Sequence, residues 1–331
     1  MELPIDAHDI EYAEGYLAAG DMATALPLLK RLCEMAGEWA DRTCADTTSH
    51  QWFAFDDAFE RLVYRRVEDD PRELEQVDVP LGRLYSDLAF AYIRQQDYEH
   101  AREALMQAVR WNPMNCNYRL DLAELFRALG DKREWAALSF SVIERASDGK
   151  SAGRAYANLG QMFLDEGNPT AAAGCARLAQ RLAPTEPRVV RLLDRLVKEA
   201  PDAANESDDH VMGELGLQGV PTQPNAEVAI CLLMCATDAA AAGDASAATN
   251  FTVRARDLVG ESAAKALIKL IRESDAEMEG DGAADAGDDA VDGAAAGDVD
   301  RAATSGAAAC PDDAPATGDA APAPEPSGEG E

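Results

Sequence analysis

Five short steps, Gly20-Asp21, Gln96-Asp97, Gly130-Asp131, Gly167-Asn168 and Gly243-Asp244, interrupt stretches whose apolar residues recur with helical spacing. Glycine reaches the left-handed conformation that ends a helix, and an Asp or Asn oxygen accepts from the free N–H groups that begin the next. Each step therefore predicts a tight turn between two helices, with Gln96-Asp97 as a variant. Around three turns the same residues return in register: Leu88-Ala89 with Tyr92, Leu122-Ala123 with Phe126, and Leu159-Gly160 with Phe163, at spacings of 34 and then 37 residues. Pro113 and Pro184 close the first and third units 71 residues apart, which matches the two spacings together and places a three-residue insertion in the middle unit. A chain with this period stacks helical pairs to bury a continuous core. Composition agrees: Ala is abundant, aromatics are 6% and β-branched runs are scarce, so local propensity favours helix.

The unit resembles the tetratricopeptide repeat, a helix-turn-helix of about 34 residues with the pattern W-x2-L-G-x2-Y, then A-x3-F, then P. The best copy reads Tyr85-x2-Leu88-Ala89-x2-Tyr92, then Ala101-x3-Leu105, Ala108 and Pro113. The third reads Tyr156-x2-Leu159-Gly160-x2-Phe163, then Ala172-x3-Ala176, Ala179 and Pro184. The middle copy keeps Leu122, Ala123, Phe126 and Gly130 but places Trp135 where a small residue is usual and Ser147 where Pro is, so its second helix is expected to tilt or pack loosely. Weaker copies surround Ala13-x2-Tyr16 with Gly20-Asp21, and Ala236-x2-Ala239 with Gly243-Asp244. The implied fold class is all-α, a solenoid or superhelix of helix-turn-helix units with an acidic, disordered C-terminal tail.

The expected organisation follows. Residues 1–38 form a degenerate hairpin, and 39–80 an inserted segment whose Trp52, Phe55, Phe59, Leu62 and Val63 fall on one face of an amphipathic helix near 49–67. Residues 81–199 hold three repeat copies and a capping helix presenting Val189, Leu192, Leu193 and Leu196. Residues 200–224, rich in Pro, Gly and acid, read as a linker, and 225–276 as a further hairpin with a closing helix. Residues 277–331 are Ala, Gly, Pro, Asp and Glu with one base, Arg301, a composition too polar to offset the entropy of ordering. Its singly spaced acids read as a solubilising brush.

Chemistry-bearing clusters are scarce. His8, His50, His100 and His210 are isolated in sequence, with no partner at metal-ligand or catalytic spacing, and the reading is of no metal and no cofactor. Cys231 and Cys235 share a helical face and read as core. The seven cysteines lack a C-x-x-C pair and suit free thiols in a reducing compartment. Phosphate-binding glycine loops and nucleophile elbows are not found, so the chain is expected not to be an enzyme. A net charge of −31 opposes nucleic-acid and anionic-lipid partners, and the longest apolar run, near 228–236, is too short to span a bilayer. A cytoplasmic protein is expected.

The resemblance implies a concave groove lined by the first helix of each repeat, which holds a peptide or a partner helix. Its inward positions correspond to Arg83, Ser86, Asp87, Phe90, Ile93 and Arg94, then Asn117, Leu120, Asp121, Glu124 and Arg127, then Arg154, Ala157, Asn158, Gln161 and Leu164. Some relatives clamp a C-terminal carboxylate with Lys, Asn and Arg; here Asp87, Asp121 and Glu124 stand at those positions, with Asn158 and Arg154 matching in part. A mixed-charge extended peptide anchored near Phe90 or Leu120 is the expected ligand. A regulatory subunit that gates a separately encoded enzyme or transcription factor is the alternative.

Overall fold

The computed structural model describes residues 3–269 and 271. Helical hairpins are its unit: α1 (Ala7–Ala18) with α2 (Met22–Thr43), α4 (Leu81–Arg94) with α5 (Tyr98–Trp111), α6 (Cys116–Ala128) with α7 (Lys132–Arg145), and α8 (Gly149–Asp165) with α9 (Pro169–Leu182). Between the first and second hairpins lie β1 (His50–Phe53), α3 (Ala58–Val67) and β2 (Glu73–Gln76). After the fourth come α10 (Pro187–Glu199), α11 (Pro201–Ala204), α12 (Asp208–Leu217), and a last hairpin of α13 (Ala226–Ala241) and α14 (Ala245–Val259), with 261–269 also helical.

One hydrogen-bond scheme builds every turn. The amide of the Asp or Asn reaches back to the carbonyl five residues earlier: Asp21 to Tyr16, Asp97 to Tyr92, Asp131 to Phe126, Asn168 to Phe163 and Asp244 to Ala239, at 2.8–3.0 Å. The same side chain then accepts from the third amide of the next helix, as Asp131 does from Glu134 at 3.1 Å. The residue between them is left-handed, with φ between 75° and 82° at the four glycines and 61° at Gln96. Trp135 is accommodated in α7 at 3% exposure, packed rather than loose.

The inserted segment departs from the expectation of one amphipathic helix. It is a β-α-β crossover: β1 and β2 pair in parallel, His50 with Glu73 through Phe53 with Gln76, and α3 carries the chain between them. The helix cannot begin earlier because Asp57 caps it, accepting from the Glu60 amide at 2.8 Å, while residues 50–53 are held extended in the ladder. Phe53 stacks on Phe55 at 4.9 Å between ring centroids and is 2% exposed, so these aromatics are core. The ribbon is tied to the array by the Ala54 amide, which donates to the Trp111 carbonyl at 2.8 Å. A two-stranded ribbon therefore interrupts the otherwise helical chain.

Residues 200–224 are not a bare linker. Within them α12 packs on α9, with Val211 and Leu215 fully buried, and Leu215 lies so close to Gly174 that a Cβ there would meet it at 2.7 Å. Together with α10, whose Val189 and Leu192 are also fully buried, it covers the third copy. The last hairpin does not extend the stack beyond α10. It turns back so that α13 lies on α3 and α14 against α8. Phe251 meets Phe59 at 5.6 Å, Arg254 sits over the Phe59 ring at 4.8 Å and donates to Ser147 Oγ at 2.6 Å, and Asn225 donates to the Glu144 carbonyl at 2.8 Å. Two cores result, one beneath α1, α2, α4 and α5, the other running from the ribbon and α3 through α6–α9 to the last hairpin. The tail expected at 277–331 lies outside the described residues.

Candidate protein-binding surface

Ion pairs join α1 to α4, and α6 to α8 and α10, along one face. Arg83 of α4 makes a bidentate pair with Glu14 of α1. Asp121 of α6 lies 3.6 Å from Arg154 of α8. Glu124 of α6 meets Arg188 of α10 and also accepts from Arg127 Nε at 2.9 Å. Acid and base are thus mixed along the face from α1 to α10.

Three buried polar atoms on this face lack a hydrogen-bond partner, Asp87 Oδ2, Glu124 Oε1 and Arg154 Nε, and of these Glu124 Oε1 is in an ion pair, with Arg188. Burial, followed by the negative charge and hydrogen bond of Glu14, pushes the Asp87 carboxyl well above the usual carboxylate range, and Arg83 only partly opposes this. Desolvation, with the neighbouring Arg191, pushes Arg188 down. A face with such costs holds polar groups short of the solvation they would have in water.

The structure sorts the sequence-based candidates. Arg83, Arg94, Asn117, Asp121 and Arg127 are exposed, Phe90 and Ile93 present apolar side chains at 47% and 36% exposure, and Ser86, Asp87, Glu124, Arg154 and Gln161 are half-buried. Leu120 and Asn158 do not face solvent. Leu120 is fully buried in the core that also contains Phe53 and Phe59, because the ribbon and α3 thicken the core beside α6. Asn158 is 4% exposed and donates to Ser139 Oγ at 3.2 Å, linking α8 to α7, and Ala157 is buried too. Sequence reasoning missed Glu14 and Arg188. Glu14 follows Ala13 in the weak first copy as Phe90 follows Ala89 in the best one, so the alignment itself held that signal. Arg188 was hidden because α10 reads only as a cap.

Among the described residues no helix is long and apolar enough to cross a membrane. The chain resembles a solved structure of Pseudomonas aeruginosa pilF at 15% identity, covering 81% of this chain and 96% of the other with a TM-score of 0.40. It also resembles a tetratricopeptide repeat protein from Parabacteroides merdae at 13% identity, covering 80% and 97% with a TM-score of 0.37. A comparison with curated protein sequences returns no match. The family model of the tetratricopeptide repeat matches residues 82–115, the span of α4, its turn and α5. The chain therefore carries a tetratricopeptide repeat at 82–115, within an array of helical hairpins closed by the same turn.

Proposed function

We propose that this chain is a non-catalytic scaffold or adaptor that binds an extended peptide or partner helix across the face lined by α1, α4, α6 and α8. The observation that carries the reading is the exposure of two large apolar side chains, Phe90 and Ile93, on a face otherwise lined by charged and polar residues. A peptide backbone offers an N–H donor and a carbonyl acceptor at every residue, which suits a face that presents both acidic and basic side chains. Phe90 and Ile93 give an apolar anchor on the same helix, and the flanking charges set register and reject mismatched ligands. Repeats of this family generally mediate protein–protein interaction, and the mixed charges here favour a ligand that itself carries both signs.

The test is affinity capture with the intact chain and with Phe90→Ala and Arg154→Ala variants, followed by mass spectrometry and direct titration of the recovered partner. Phe90 is largely exposed, so its truncation leaves the fold intact. Loss of the same protein from both variants, with at least about tenfold weaker binding, supports the face as the working surface. Identical recovery by all three proteins overturns it. A single stoichiometric partner that changes activity when bound would mark the chain as a regulatory subunit.

A further inference from the structure

His50, read from the sequence as an isolated histidine, opens β1 in register with Glu73, and Trp52 is in register with Glu75. Side chains alternate along a strand, so His50 and the two glutamates share the face of the ribbon opposite Phe53 and Leu74, which enter the core at 2% exposure each. His50 Nε2 lies 3.2 Å from Glu73 Oε2. One ligand atom from each of His50, Glu73 and Glu75 lies within 4.8 Å of the other two. The second ring nitrogen, Nδ1, is 2.8 Å from Ser49 Oγ, which is itself 3.2 Å from Thr47 Oγ1. That hydroxyl pair orients the ring and presents Nε2 to the carboxylates, the arrangement in which a ligating histidine has its other nitrogen engaged outside the metal.

We propose that His50, Glu73 and Glu75 bind one divalent cation of the zinc class, which staples β1 to β2 and leaves a fourth position to water. One imidazole nitrogen and two carboxylate oxygens suit a borderline ion better than calcium or magnesium, which prefer oxygen alone. Two ligand atoms at about 2.1 Å from a tetrahedral ion are about 3.4 Å apart. The His50–Glu73 separation already meets that spacing, and Glu75 closes by no more than about 1.4 Å, within the reach of a partly exposed side chain. The ion also bridges like charges, since the carboxylates of Glu73 and Glu75 lie on one face of the ribbon. A four-residue, two-stranded ribbon is marginal by itself, so a bridge across its solvent face has a structural purpose.

Cobalt(II) is the probe, added alone to the full chain, because its tetrahedral complexes absorb visibly and thiolate ligands add a distinct charge-transfer band. The expected result is a visible d–d spectrum that saturates at one equivalent without a thiolate band, is lost in His50→Ala, and needs at least about tenfold more metal in Glu75→Gln. The His50 side chain is 43% exposed, so its truncation does not open the core, and circular dichroism of both variants checks folding. In parallel, zinc raises the melting temperature of the wild-type chain and not that of His50→Ala. A thiolate band, a spectrum unchanged by both substitutions, or no tetrahedral spectrum at millimolar metal would overturn the proposal, leaving respectively a cysteine site, the acidic tail, or an ordinary His50–Glu73 ion pair.

Discussion

Asn112, fully buried in the turn between α5 and α6, donates from Nδ2 to Glu60 Oε2 at 2.7 Å and so holds the first turn of α3 against the repeat array. Its Oδ1 accepts from the Met114 and Asn115 amides at 3.2 Å each. Asn112→Ala strands these partners together, and a buried polar group left unmatched costs about 1–3 kcal/mol. We expect a loss of about 2–3 kcal/mol in urea unfolding. An unchanged midpoint would show that the ribbon and α3 are held by apolar packing alone.

Glu60 itself gives a pH signature. Burial, with Asp56 adding to it, pushes its carboxyl up to about 7, against the hydrogen bonds from the Asp56 amide and Asn112. The folded state therefore holds a proton that the unfolded chain has released at ordinary carboxylate pH, so Glu60 costs stability increasingly as pH rises from about 4.5 to 7. Glu60→Gln keeps an acceptor oxygen and removes the titration. Relative to wild type, it should be about equal in stability near pH 5 and gain as pH approaches 8, read from chemical unfolding at each pH. A constant difference across that range would place the proton elsewhere.

Gln96 occupies the position that glycine fills in the other repeated turns, at φ 61°. A side chain in that region costs about 1–2 kcal/mol, and glycine returns part of the gain through its freer unfolded state. Gln96→Gly should stabilise by about 0.5–1 kcal/mol, and Gly130→Ala should lose about 1 kcal/mol, both measured by thermal melting.

The close approach of α8 and α10 gives a steric test. A methyl at Gly160 would lie 2.5 Å from Leu192 Cδ2 and 3.1 Å from Cys175 Cβ, and Leu192 is fully buried with no solvent to turn into. Gly160→Ala should cost about 1–3 kcal/mol although Ala occupies the matching positions 89 and 123. Coupling between Gly160→Ala and Leu192→Ala in a double-mutant cycle identifies that contact as the cause.

The helical hairpins were legible because their signals are local: each turn is coded by a glycine or Gln96 followed by Asp or Asn, and each hairpin by apolar spacing within a few turns of helix. The ribbon was not, because its pairing joins His50 to Glu73 across α3, and the crowd of aromatics from Trp52 to Phe59 invited a single helical period. The signal against that helix was the adjacent Asp56 and Asp57, which start α3 late. Once the ribbon and α3 enlarge the core, Leu120 turns from a groove anchor into a buried residue. For Asn158 the partner is Ser139 on the preceding helix, a pairing that position within a repeat does not reveal.

The return of the last hairpin has a consequence for how the molecule comes apart. In an open row of repeats each unit touches only its neighbours, and the ends loosen independently of the middle. Here Arg254 grips Ser147 across 107 residues and Asn225 grips Glu144 across 81, while Phe251 rests on Phe59 in the inserted segment. Releasing the C-terminal hairpin therefore uncovers the centre of the chain, and the array behaves less like a row of separable beads than like a belt fastened at its own middle. Such long-range closure slows folding and couples the hairpins into one transition.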